Sequence, residues 1–99
     1  MSVQHIALFQ FKVGTSADLI RSVSDHLARL AKDIPGITDF SIGTNNSPEG
    51  LAGGLTHGFV MTFQDAAARD NYLTHPEHEE FKAAALPHIE KVVVFDYEK

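Results

Sequence analysis

From Val3 to Phe11 the chain reads VQHIALFQF, apolar or aromatic on both parities of an extended strand, and VVVF at 92–95 repeats the pattern near the other end. Successive strand side chains point to opposite faces, so a strand of this kind needs cover on both. In the first segment one face carries His5, Ala7, Phe9 and Phe11, and the other carries Ile6 and Leu8. The chain must therefore hide two faces of its sheet, and a single layer of helices hides only one.

The remaining elements follow from period and punctuation. Thr15 or Ser16 can cap a helix in which Asp18 favours the dipole and Leu19, Ile20, Val23, Leu27, Leu30 and Ala31 recur at helical spacing, until Pro35 and Gly36 stop it. Ile37, Phe40 and Ile42 suggest a second strand with imperfect alternation, and TNNSPEGLAGG, Thr44 to Gly54, is long and Gly-rich enough for a mobile flap. Leu55–Phe63 reads as a third strand with Leu55, His57, Phe59, Met61 and Phe63 on its greasier face. Asp65 caps a short helix ending near Leu73, Pro76 opens another that runs to about Leu86 before Pro87, and Ile89–Tyr97 is the last strand.

The order β-α-β-β-α-β predicts one ferredoxin-like α+β domain over residues 1–99, an antiparallel sheet with helices on one face. Ile6, Leu8, Val60, Val93 and Phe95 would then form an uncovered apolar face, and a second copy of the chain packed sheet against sheet would cover it with the same surface. The expected assembly is a homodimeric α+β barrel.

Composition narrows the function classes. A net charge of -5 at pH 7 opposes attraction to nucleic acid or to an anionic membrane surface. The lack of cysteine excludes thiolate catalysis and thiolate-held metal, and it suits a reducing compartment, so the cytoplasm is expected. No apolar segment approaches the roughly 20 residues that span a bilayer.

Six histidines are candidates for proton transfer, because imidazole titrates near neutrality. His5 and His57 share strand parity with residues expected to face the helices, where a hydrogen-bonded core role competes with a site role. YLTHPEHEEF is sharper: Tyr72 closes one helix, His75 precedes Pro76, and His78 falls in the first turn of the next helix. The positive end of that helix favours a neutral imidazole that can take a proton, and Tyr72 could donate to a carbonyl or enolate oxygen. The bland alternative has His75 capping the turn, Tyr72 in the core and His78 in solvent. Histidine-ligated zinc is disfavoured by the proline between His75 and His78 and by the lack of a placed carboxylate. His26 and His88 are expected at the surface.

Taken in order, the strand with His5, the IPGI turn at 34–37, the THGFVMTF strand, YLTHPEHEEF and the closing VVVFDY resemble the stress-responsive A/B barrel (Dabb) family nearly end to end. The resemblance implies a homodimeric α+β barrel. A plant member of the family closes a linear polyketide without a cofactor. By likeness to it, His78 would be the general base, Tyr72 its hydrogen-bonding partner, and His5, Ala7, Phe9, Val23, Leu27, His57, Phe59, Met61, His75, Val92 and Val94 would line the pocket for a small apolar or aromatic carbonyl ligand. The resemblance also implies a magnesium ion on the backbone carbonyls of Ala31, Ile34 and Ile37, with no other cofactor. Val23, Ser24 and Leu27 replace larger aromatic groups of that cyclase, and Pro87 has no counterpart there, so the pocket's shape does not transfer. Three readings remain open: a cofactor-free cyclase, lyase or isomerase; a non-catalytic stress-response or ligand-binding protein; and a cofactor-free oxygenase of the antibiotic-biosynthesis type.

Overall fold

The structure, a computed structural model, describes residues 1–99. Its elements are β1 (Val3–Phe11), α1 (Ala17–Asp33), β2 (Ile37–Thr44), β3 (His57–Phe63), α2 (Ala66–Leu73), α3 (Pro76–Ala85), a 3-10 turn (Leu86–His88) and β4 (Ile89–Glu98). The strands form one antiparallel sheet in the order β2-β3-β1-β4, with β1 paired to both β3 and β4. This is the expected ferredoxin-like arrangement, with the helices packed on one face.

Local chemistry sets the element ends. The Ser16 hydroxyl accepts from the Leu19 N–H and the Asp65 carboxylate from the Ala68 N–H, so each helix start has one of its unpaired donors satisfied by a cap. Strand β3 begins at His57 rather than at Leu55, because the Leu55 N–H is spent on the Ala52 carbonyl in a turn. The uneven alternation of β2 has a cause too: the register shifts between Ile37 and Asp39, and this bulge brings Ile37 and Phe40 to the same face although their parity differs.

The register explains both faces. On the helix side the cross-strand rows run Asp96–His5–Met61–Phe40, Val94–Ala7–Phe59–Ile42 and Val92–Phe9–His57–Thr44. Val23, Leu27 and Leu30 of α1 close over these rows, and Tyr72 of α2 is buried against them. Full burial of a side chain such as Leu27 contributes about 1.5–3 kcal/mol. On the outer face, Leu8, Val60, Val93, Phe95 and Tyr97 stay open, Phe95 at 63%. The apolar outer face expected from the sequence is thus uncovered in the subunit.

Between α1 and β2, Gly36 takes φ +92° and lies so near α2 that a Cβ there would come within 2.6 Å of the Ala68 Cβ. This close approach seats the turn against the helix that carries Tyr72. His26, expected at the surface, is half-buried, with its ring edge-on to Phe81 at 5.2 Å. A surface helix face is a poor guide where a second helix crosses it, as α3 crosses α1 here.

Candidate active site

Two short helices bring the polar residues together over one row of the sheet. Tyr72, near the end of α2, is 1% exposed, and its ring lies 5.2 Å from Phe63, 5.8 Å from His5 and 4.2 Å from His78, the last tilted by 30°. His78 enters from the first turn of α3, where Pro76 at the helix start fixes the backbone and His75 supplies the cap. His75 Nδ1 accepts from the Glu77 N–H at 3.1 Å, so this nitrogen is committed to the helix end.

The His78 contact fixes a tautomer. Its Nδ1 lies 3.2 Å from the Leu73 carbonyl oxygen, which can only accept, so Nδ1 carries the proton and Nε2 is left with a lone pair. Burial lowers the His78 pKa, outweighing the Leu73 hydrogen bond that raises it, and the ring is held neutral. Burial also pushes the Tyr72 phenol well above its ordinary range, which keeps it a donor. A neutral imidazole in contact with a protonated phenol offers one group that can take a proton and one that can hydrogen-bond a developing oxyanion.

On the same face of the sheet lies an apolar cavity of about 70 Å³ lined by Ala7, Phe9, Val23, Leu27, Phe59, Phe81, Ala85, Leu86, Ile89 and Val92; neither Tyr72 nor His78 is among its walls. That is room for roughly five water-sized groups, well under the roughly 300 Å³ at which ordinary ligand pockets begin. Phe59 lines the cavity, and its ring stands 5.8 Å from His5, which in turn meets Tyr72 edge-on at 5.8 Å. Phe81, one helical turn after His78, lines the cavity from α3, with its ring edge-on to His26.

Of the pocket residues expected from the sequence, Ala7, Phe9, Val23, Leu27, Phe59 and Val92 meet in this cavity. Met61 is fully buried in the core and lines no wall, while Val94 sits on the open stretch of β4, 57% exposed. His57 stacks on Phe9 and meets Phe11 edge-on, and its Nδ1 lies 2.8 Å from the Thr56 hydroxyl. It borders a separate crevice of about 440 Å³ formed by Leu8, Gly43, Gly58 and the 45–55 loop. His5 pairs with Asp96 at 2.7 Å, and Asp96 with Arg69 at 2.9 Å. Sequence reasoning passed over Asp96 and Arg69; the only signal for the first was its parity with His5, which needs the β1–β4 register to be read.

No group of three or more His, Asp or Glu side chains converges as a metal site. The carbonyls at the end of α1 are another matter. The helical partner of the Ala31 carbonyl would be Pro35, which has no N–H, and the Ile34 N–H already bonds Leu30. A carbonyl left free at the negative end of a helix has the hard-oxygen chemistry that magnesium takes.

The profile of the stress responsive A/B barrel domain matches residues 3–99. The chain belongs to this family. Among curated Dabb relatives, the stress-response A/B barrel protein HS1 of Arabidopsis thaliana is 37% identical, over 96% of this chain and 87% of its own. Olivetolic acid cyclase of Cannabis sativa is 26% identical, over 98% and 96%. Among solved structures, the hydroxynitrile lyase of Passiflora edulis superposes with a TM-score of 0.91 at 30% identity, covering 97% of this chain and 91% of that one. A dimeric ferredoxin-like protein from Jannaschia gives 0.88 at 27% identity, with both chains covered in full. Dabb relatives thus include proteins named as enzymes and proteins described as dimers. No helix here is long and apolar enough to cross a membrane.

Proposed function

We propose that this Dabb protein is a homodimer that binds a small apolar carbonyl compound and acts on it as a cofactor-free acid–base catalyst. The observation that carries the reading is the Tyr72–His78 ring contact, in which Nδ1 of a neutral His78 is occupied by a backbone carbonyl and Nε2 is free. In this reading the apolar part of the ligand enters the cavity under Phe59 and Phe81. His78 Nε2 takes a proton from the carbon next to the carbonyl, Tyr72 hydrogen-bonds the enolate oxygen so formed, and the imidazolium returns the proton to the carbon or alkoxide of the product. With a hydroxynitrile, His78 takes the hydroxyl proton, the C–C bond to cyanide breaks as the carbonyl forms, and the imidazolium protonates the departing cyanide. The relatives named as a hydroxynitrile lyase and a cyclase support a reaction of this class. The small cavity favours a ligand of few heavy atoms. The uncovered outer face and the dimeric relative support the homodimer. The Ala31, Ile34 and Ile37 carbonyls would hold a magnesium ion at the end of α1.

A panel of small aldehydes, ketones and hydroxynitriles, followed by product analysis with the native protein, His78→Ala and Tyr72→Phe, tests the catalytic assignment. Removal of the base should cost about 10²–10⁴-fold in rate. Equal turnover by native protein and His78→Ala would defeat it. A second reading, a binding protein without turnover, is favoured by one observation: every residue lining the cavity is hydrophobic. Ligand-dependent thermal stabilisation equal in native protein and His78→Ala, with no product from either, would establish that reading instead.

A further inference from the structure

Tyr72 and His78 stand on different helices, and the residue that joins those helices by hydrogen bonds is His75. Its N–H donates to the Tyr72 carbonyl at 3.0 Å, its Nδ1 accepts from the Glu77 N–H at 3.1 Å, and its carbonyl accepts from the Glu79 N–H at 3.0 Å. One half-buried residue therefore ties the backbone of Tyr72 to the first turn of the helix that carries His78. The backbone agrees with this use. His75 is extended, at φ −66° and ψ 138°, as an N-cap residue is, and Pro76 after it disfavours the helical alternative that would run α2 straight into α3. The donors at this helix start are thereby accounted for one by one: the His75 N–H goes to Tyr72, Pro76 has none to place, and the Glu77 N–H goes to the imidazole.

The bond that sets the His78 tautomer crosses the same connection. The His78 ring belongs to α3 and the Leu73 carbonyl to the last residue of α2, so the 3.2 Å contact between them lasts only while residues 73–78 keep their shape. We propose that His75 is a positioning residue for the Tyr72–His78 pair: its ring caps α3 while its N–H holds Tyr72, and the two together keep the His78 ring on the Leu73 carbonyl, in the tautomer whose Nε2 is bare. The catalytic meaning of that tautomer rests on the acid–base reading of the pair, whereas the hydrogen-bonded connection does not.

The test is nitrogen NMR of the histidine rings in the full chain, with His78 assigned through His78→Gln, together with amide hydrogen exchange. Native His78 should be a single tautomer, protonated at Nδ1. In His75→Ala the Glu77 amide should exchange about 2–30-fold faster, the change in opening that follows loss of an N-cap, and His78 should become a mixture of both tautomers. His75→Asn and His75→Ser, whose side-chain oxygens can accept the same N–H, should restore the native His78 signals. Ser16→Ala removes the corresponding cap from α1 and should leave His78 unchanged, which separates positioning from a general loss of stability. His75→Gly, a milder loss of the cap, should repeat the alanine result and carries the test if the alanine chain does not fold. A tautomer mixture in the native protein, a single native tautomer in folded His75→Ala or His75→Gly, no recovery in either rescue variant, or the same change in Ser16→Ala overturns the proposal. Because no turnover is needed, equal activity of native protein and His78→Ala would end the acid–base reading and leave this result standing.

Discussion

Replacing Gly36 by alanine probes the contact that seats α2, and with it Tyr72 and Arg69, against the α1–β2 turn. Two costs add. At φ +92° an L side chain sits in the left-handed region, which disfavours alanine by about 1–2 kcal/mol. The new methyl would also lie 2.6 Å from the Ala68 Cβ with the Ala68 Cα at 3.7 Å, an overlap with a helix rather than with a flexible chain end, and overpacking of this kind costs about 1–3 kcal/mol. The lost freedom of the unfolded chain offsets only about 0.4–1 kcal/mol. The net loss should be about 2–4 kcal/mol, which for a chain of this length lowers Tm by on the order of 10–25 °C. Urea unfolding of Gly36→Ala, Ala68→Gly and the double variant, all at one protein concentration, separates the costs. Ala68→Gly alone should lose about 1 kcal/mol of helix propensity. In the double variant the overlap is gone and about 1–3 kcal/mol should reappear as coupling. A loss below about 0.5 kcal/mol for Gly36→Ala, the range of ordinary surface changes, would refute the close approach, as would additivity of the two substitutions.

Burial depresses the folded-state pKa of both His57 and His78 below 6.5, so as the pH falls through 6.5 the unfolded chain binds protons that the folded one does not. The urea midpoint should therefore drop between pH 6.5 and 4.5, above the range where the Glu79–Lys82 pair begins to titrate, and a flat or rising midpoint there would contradict the burial of these rings. On the outer face, Phe95→Glu would place a charge inside the proposed sheet-to-sheet contact while touching little within the subunit. Light scattering should give twice the 10.9 kDa chain mass for the native protein and the single mass for the variant, with native-like circular dichroism in both. A variant that stays dimeric would move the interface elsewhere.

Much of the fold was legible because strand side chains alternate rigidly. Parity alone put His5, Ala7 and Phe9 on one face and Ile6 and Leu8 on the other, and the register keeps them there. Where the backbone departs from the regular period, parity misleads: the bulge beyond Ile37 made β2 look irregular, and the turn at Ala52–Leu55 shortened β3 at its start. Helix ends were legible through Ser16, Asp65 and Pro76, since caps act within one turn. The cavity was legible in part, as Ala7, Phe9 and Phe59 neighbour one another across β1 and β3, but Phe81 and Ala85 enter only once α3 has a place.

The His5–Asp96–Arg69 chain of hydrogen bonds was not legible, and the reason bears on how such a site works. His5 and Asp96 lie 91 positions apart, and Arg69 reads as an ordinary helix cation until α2 is docked on the sheet. By contrast, His78 and Leu73 are five residues apart, and their hydrogen bond closes within the α2–α3 connection itself. The tautomer of His78 is thus set locally and survives small shifts of the helices, whereas the hold on His5 depends on three elements meeting correctly. Perturbing the docking of α2, as Gly36→Ala does, should therefore disturb the His5 ring signals before those of His78. Equal disturbance of both rings would mean that the two histidines are held by one rigid unit, and the distinction between a local and a long-range hold would fail.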